Sequence, residues 1–110
     1  LHPQEPARAS HLVQCLPKGA PVIAATDYVC AWPHLVAPYV QDRFVALGTD
    51  GFGRSDSREQ LRGFFEVDSR QIVLAALSSL ADDGVLERQR CAEAIARYGI
   101  EAEAPVPWAC

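Results

Sequence analysis

Between two apolar segments lies Gly48-Thr49-Asp50-Gly51-Phe52-Gly53-Arg54-Ser55-Asp56-Ser57-Arg58, and no other stretch constrains the fold as much. Before it, Phe44 to Leu47 is a short apolar run that suits a buried strand. After it, Leu61, Phe64 and Phe65 recur at the i, i+3, i+4 spacing of one helix face. The stretch therefore reads as a strand-to-helix turn at the carboxyl end of a strand, where open α/β sheets keep their working surface. Gly51 and Gly53 are placed where the backbone needs angles that other residues resist. Ser57 with Gln60 has the form of a capping box for the next helix.

The remaining chain supplies partners for that unit. Pro21 to Thr26 is a second short apolar run, so the pattern predicts parallel strands at about 21–26 and 44–49. Both end in Thr-Asp, which places Asp27 and Asp50 on one edge of the sheet. Asp27 is expected to cap a helix carrying Val29, Trp32, Val36, Tyr39 and Val40, interrupted by Pro33 and Pro38 and so kinked or frayed, ending near Pro38. The strand–helix–strand crossover should be right-handed. Further helices are expected from about Arg58 to Glu66, from an Asp68/Gln71 cap through Ile72 to Ala81, and from about Glu87 to Tyr98. The helix through Ile72 to Ala81 is apolar nearly all round and should be buried, with Gly84 closing it. The last helix should turn Cys91, Ala94, Ile95 and Tyr98 inward and stop at Gly99. Residues 1–20 read as a connector with one helical turn near His11 to Leu16, residues 21–104 as the folded part, and 105–110 as an extended tail.

Composition limits what this fold can do. A chain of 110 residues makes one domain at most, burying roughly 65% of its unfolded surface. The net charge of −4, with Lys and Arg scattered, excludes a nucleic-acid surface. No run reaches the ~20 apolar residues of a membrane helix, and no basic leader precedes a signal-like segment. Cys15, Cys30, Cys91 and Cys110 form no C-x-x-C pair, so free thiols in a reducing cytoplasm are the expectation. With Leu1 first and no Met, the chain reads as a piece of a longer polypeptide. Two strands are also too few to cover three or four apolar helices. An open sheet edge and bare apolar surface should then favour self-association.

Candidate chemistry concentrates on the turn. Gly51-Phe52-Gly53-Arg54-Ser55-Asp56 lacks the third glycine of a dinucleotide fingerprint and sets Asp50 and Asp56 where a pyrophosphate would lie. Phe52 and Leu61 spoil a calcium loop. Ser55, His34 and Asp27 supply triad residue types but no nucleophile elbow. Cys30 and His34, one helical turn apart, are a single pair and make no tetrahedral metal site. His2 and His11 lie in the connector. What remains is Arg54 between Asp50 and Asp56, with Phe52 at the tip: either a solvated local ion pair or an anchor against another domain or subunit.

The turn Gly48 to Arg58, together with Phe65-Glu66-Val67-Asp68, Pro21 to Tyr28, Ile72 to Leu80, Ala92 to Ile100 and the lead-in Leu1-His2-Pro3, resembles one known family. It is similar to the carboxyl-terminal domain of homodimeric, thiamine-dependent pyruvate dehydrogenases of the transketolase superfamily. Trp32-Pro33 departs from the family's usual choice. The resemblance implies a partial three-layer α/β domain entered mid-way by this chain and packed by three to four helices. It implies a parent that uses thiamine diphosphate and Mg²⁺ to decarboxylate pyruvate and acetylate lipoyl groups. Its partners would be the remaining domains, a second subunit and the dihydrolipoyl acetyltransferase core. No catalytic, cofactor-binding or metal-binding motif of that family falls on any residue of this chain. Asp50, Phe52, Arg54 and Asp56 are, from their own residue types and placement, the candidate interdomain or dimer contacts. A non-catalytic interaction module using the Asp50–Asp56 turn and a small nucleotide-binding α/β domain are the rival expectations.

Overall fold

Two parallel strands hold the centre of the computed structural model, which describes residues 2–110; the lead-in residue Leu1 lies outside them. β1 (Val22–Ala25) and β2 (Phe44–Leu47) pair in the register Val22 with Phe44 through Ala25 with Leu47. The ladder is continued by Val22 N–H donating to the Arg43 carbonyl at 2.8 Å and Thr26 N–H to that of Leu47 at 2.9 Å. The helices are α1 (His11–Cys15), α2 (Ala31–His34), α3 (Arg58–Phe64), α4 (Ser69–Asp82) and α5 (Gln89–Tyr98). Short 3-10 turns stand at Ala37–Tyr39 and Pro107–Ala109. α4 lies against β1, and α5 packs on α4. The α/β class and the parallel strands are as the sequence predicts.

Local chemistry sets the helix ends. Ser57 caps α3 by accepting the Gln60 N–H at 3.3 Å, while Asp56, rather than the Gln60 amide, takes the Ser57 N–H at 2.7 Å. Asp68 caps α4 by accepting from Gln71 N–H at 3.0 Å. Gly84 (φ 74°) and Gly99 (φ 60°) close α4 and α5 in left-handed geometry. Glu66 takes the same region at φ 58° without being glycine. That bend lets the Val67 N–H reach the Arg62 carbonyl at 3.0 Å and turns Val67 into the core. Left-handed backbone costs a non-glycine residue about 1–2 kcal/mol, which the burial of Val67 offsets.

Three expectations are corrected. Asp27 does not cap α2; Cys30 holds the cap position and its N–H goes to Asp50. The segment from 29 to 40 is not one kinked helix. It is the single turn α2, with Pro33 in the first turn where no N–H is needed, and then the separate 3-10 turn. The tail is not extended to its end, because Pro107 to Ala109 coil into a 3-10 turn and Pro107 is buried.

The core is thin. Val67, Ala81 and Ala94 are buried at its centre beside Ser79, and Pro107 is buried in the tail turn. α5 turns Cys91, Ala94, Ile95 and Tyr98 inward as predicted. α4, expected to be buried all round, is mostly half-covered and leaves Val73 exposed, because β1 and α5 shield only part of it. The surface amounts to 8344 Å², against roughly 6,000 Å² for a compact monomer of this mass. The radius of gyration is 16.7 Å, where about 13 Å is usual.

Asp68 gives this fold a pH signature. Partial burial works against its ionisation but is outweighed by the Arg70 guanidinium, which donates at 2.9 and 2.6 Å, and by the Gln71 N–H. The carboxyl is therefore held below the usual carboxylate range. A carboxyl depressed by folding stabilises the native state above its unfolded value near ~3.9, and that contribution fades as pH falls through the lower native value. Urea midpoints should accordingly fall more steeply for the native chain than for Asp68→Asn below about pH 5. At neutral pH the variant keeps a capping side chain but loses the charge that faces Arg70, so it should be less stable by no more than about 1 kcal/mol.

Candidate functional site

The carboxyl ends of β1 and β2 are tied together by the turn. Thr49 N–H donates to the Tyr28 carbonyl at 2.9 Å, and Thr49 Oγ1 donates to the Asp27 carbonyl at 2.8 Å. Asp50 Oδ1 accepts the Cys30 N–H at 3.0 Å. These bonds bring the two chain segments so close that a Cβ at Gly48 would stand 2.6 Å from the Tyr28 oxygen and 2.8 Å from the Cys30 nitrogen. Gly51 (φ 125°) is as constrained from the other side, where a Cβ would meet the Pro107 carbonyl at 3.1 Å and Trp108 Cα at 3.3 Å. Gly53, in contrast, has open space and no left-handed backbone, so the need for glycine lies at 48 and 51.

The four predicted contact residues fall into different settings. Asp50 is half-buried and engaged with Cys30. Phe52 projects from the tip, 78% exposed. Arg54 forms no ion pair with Asp50 or Asp56; its guanidinium lies 4.0 Å from the centre of the Phe64 ring. That cation–π contact contributes about 0.5–1 kcal/mol at an exposed site, and Phe64 is held edge-on to Phe65 at 5.0 Å. Asp56 serves α3 by accepting the Ser57 N–H.

A cleft of about 490 Å³ opens between the turn and α3, lined by Phe52, Arg54, Asp56, Arg58, Leu61 and Phe65 among others. Arg62 also faces it and meets Asp27 at 3.5 Å. The Arg54, Arg58, Phe64 and Arg62 contributions were not legible as a cluster, since their convergence depends on how α3 is laid across the strand ends.

Other sequence candidates do not come together. Asp27 faces Arg62, His34 sits against the Phe44 ring at 6.2 Å, and no hydrogen bond joins either to Ser55. The Cys30 thiol points to the Ala46 carbonyl at 3.7 Å. Burial pushes that thiol up from its ordinary value, and the neighbouring Asp50 carboxylate adds to the effect. All four cysteines are free. Among the described residues no three of His, Cys, Asp or Glu converge as a metal cage. No helix among the described residues is long and apolar enough to cross a membrane.

Residues 4–68, which carry both strands, the turn and α3, match the family described as the transketolase-like TK C-terminal domain. The chain belongs to that family. It is 52% identical, over 97% of its length, to the pyruvate dehydrogenase E1 component of Cupriavidus necator. The corresponding proteins of Pseudomonas aeruginosa and Escherichia coli K12 are 48% and 46% identical over 100% and 94% of the chain. The chain spans 12% of the length of the Cupriavidus relative and 13% of that of Pseudomonas. The transketolase C-terminal match thus includes the region where Gly48, Asp50 and Cys30 interlock.

Because a methyl group at Gly48 has no space, Gly48→Ala should cost at least about 1–3 kcal/mol by forcing the two backbones apart. Gly53→Ala should change stability by no more than ~0.5 kcal/mol. Chemical denaturation of the two variants checks this contrast.

Proposed function

We propose that this chain is the carboxyl-terminal structural part of a pyruvate dehydrogenase, and that it braces an active centre built from the rest of that enzyme. In this reading residues 21–104 are the truncated transketolase C-terminal domain, 1–20 lead into it and 105–110 are its tail. The observation that carries the reading is alignment over 94–100% of the chain, at 46–52% identity, with pyruvate dehydrogenase E1 components. The parent would be a cytoplasmic homodimer that decarboxylates pyruvate and acetylates lipoyl groups on a dihydrolipoyl acetyltransferase core. Thiamine diphosphate and Mg²⁺ would be held by the other domains, where they supply the chemistry of decarboxylation. This piece alone would be inactive and would have neither nucleic-acid nor membrane partners.

The thin core and the surface in excess of a compact monomer support a bracing role, since both call for cover by another protein surface. Asp50, Phe52, Arg54 and Asp56 are the residues we assign to the contact with a neighbouring domain or subunit. Phe52 at the tip is the natural anchor.

A chimera tests the assignment. The matching segment of the Cupriavidus necator component is exchanged for this chain, and pyruvate decarboxylation and subunit mass are measured. The chimera should assemble and keep activity within about tenfold of its parent. The isolated chain, given thiamine diphosphate, Mg²⁺ and pyruvate, should turn over nothing. Turnover by the isolated chain, or a folded chimera that neither assembles nor decarboxylates, would contradict the proposal.

A further inference from the structure

Three separate segments meet at the turn, and each leaves an aromatic side chain in solvent. Tyr28 is 70% exposed on the segment crossing Gly48, Phe52 is at the tip, and Trp108 is 59% exposed on the 3-10 turn seated against Gly51. Trp108 belongs to this surface because Pro107, next to it, is buried and its carbonyl touches Gly51. The tail is thus part of the turn's outer face, a role that nothing in its local sequence indicates.

Charge distinguishes this face further. In the adjoining cleft Asp27 is engaged by Arg62, and Asp56 accepts the Ser57 N–H. Arg54 and Arg58 have no carboxylate within salt-bridge distance among the described residues, although the chain as a whole carries a net charge of −4. Exposed aromatic residues beside unpaired arginines have the composition of an interface centre. A guanidinium with free donors is best satisfied by a carboxylate, which it binds in bidentate fashion.

We propose that the Gly48–Arg58 turn and the Pro107–Ala109 turn form one docking surface for a carboxylate-bearing face of the pyruvate dehydrogenase polypeptide outside this chain. Phe52 and Trp108 are the apolar anchors, and Arg54 and Arg58 receive the carboxylates. The inference rests on the proposed function and adds the chemistry of the partner. It takes its occupant from charge complementarity and from the large share of the relatives' length that this chain does not span.

Hydroxyl-radical footprinting of the chimera reads the burial of these side chains directly. Oxidation of Phe52 and Trp108 should be slower by about tenfold in the assembled chimera than in the isolated chain. The exposed double variant Arg54→Gln/Arg58→Gln should recover much of the lost reactivity. The proposal is overturned if both aromatics react equally fast in an active, assembled chimera, an outcome that leaves the proposed function standing. It is also overturned if the double variant keeps full protection, or if inorganic pyrophosphate alone protects the cleft of the isolated chain. An inactive, unassembled chimera would instead remove the functional reading on which it stands.

Discussion

No heavy atom can be added at Gly48. The backbone of Tyr28 to Cys30 crosses it at van der Waals contact, and this crossing fixes how the two strand ends relate. Once the crossing exists, Thr49 reaches the carbonyls of Asp27 and Tyr28, and Asp50 reaches the Cys30 N–H. Each such bond contributes only about 0.5–1.5 kcal/mol net, but the three act on one crossing. The turn is therefore held by closeness of backbone rather than by bulk of side chain. That is why a stretch so rich in glycine can be a fixed surface.

The crossing also sets the aim of every element beyond it. Gly51 presents a bare backbone on the far side, which Pro107 fills. α3 then starts under its Ser57 cap and carries Phe64 beneath Arg54. The same helix brings Arg62 to Asp27, linking the end of the turn back to the end of β1. Both strand ends, the helix and the chain's last residues thus share one small region, at the sheet edge where α/β folds place their contacts with other molecules.

Features that depend on neighbours in sequence were legible: the strands from their apolar runs, the caps at Ser57 and Asp68, and the inward face of α5 from its spacing. Those that depend on distant residues were not. Asp27 looks like a helix cap because it comes directly after a strand, yet Asp50, in the turn beyond β2, takes the N–H that opens α2. Arg54 stands between two acids in sequence, but each acid is already occupied by a backbone N–H and the guanidinium turns to an aromatic ring instead. Pro105-Val106-Pro107 suggests an extended tail, and nothing local reveals that Pro107 fits against Gly51. The glycine that matters most, Gly48, was hidden as the plain end of a strand, because its constraint comes from residues 28–30.

On the proposed function, this sequence encodes a fold that would be completed by cover from another protein surface. Its exposed area exceeds that of a compact monomer by on the order of 2,000 Å², the scale of a full protein–protein interface. Native-state hydrogen exchange on the isolated chain, with its molar mass measured by sedimentation, tests that claim most directly. A fold awaiting cover should show a global opening free energy below about 5 kcal/mol, protection confined to β1, β2, α4 and α5, and association that grows with concentration. A strictly monomeric chain with uniform protection and a stability of about 10 kcal/mol would contradict it.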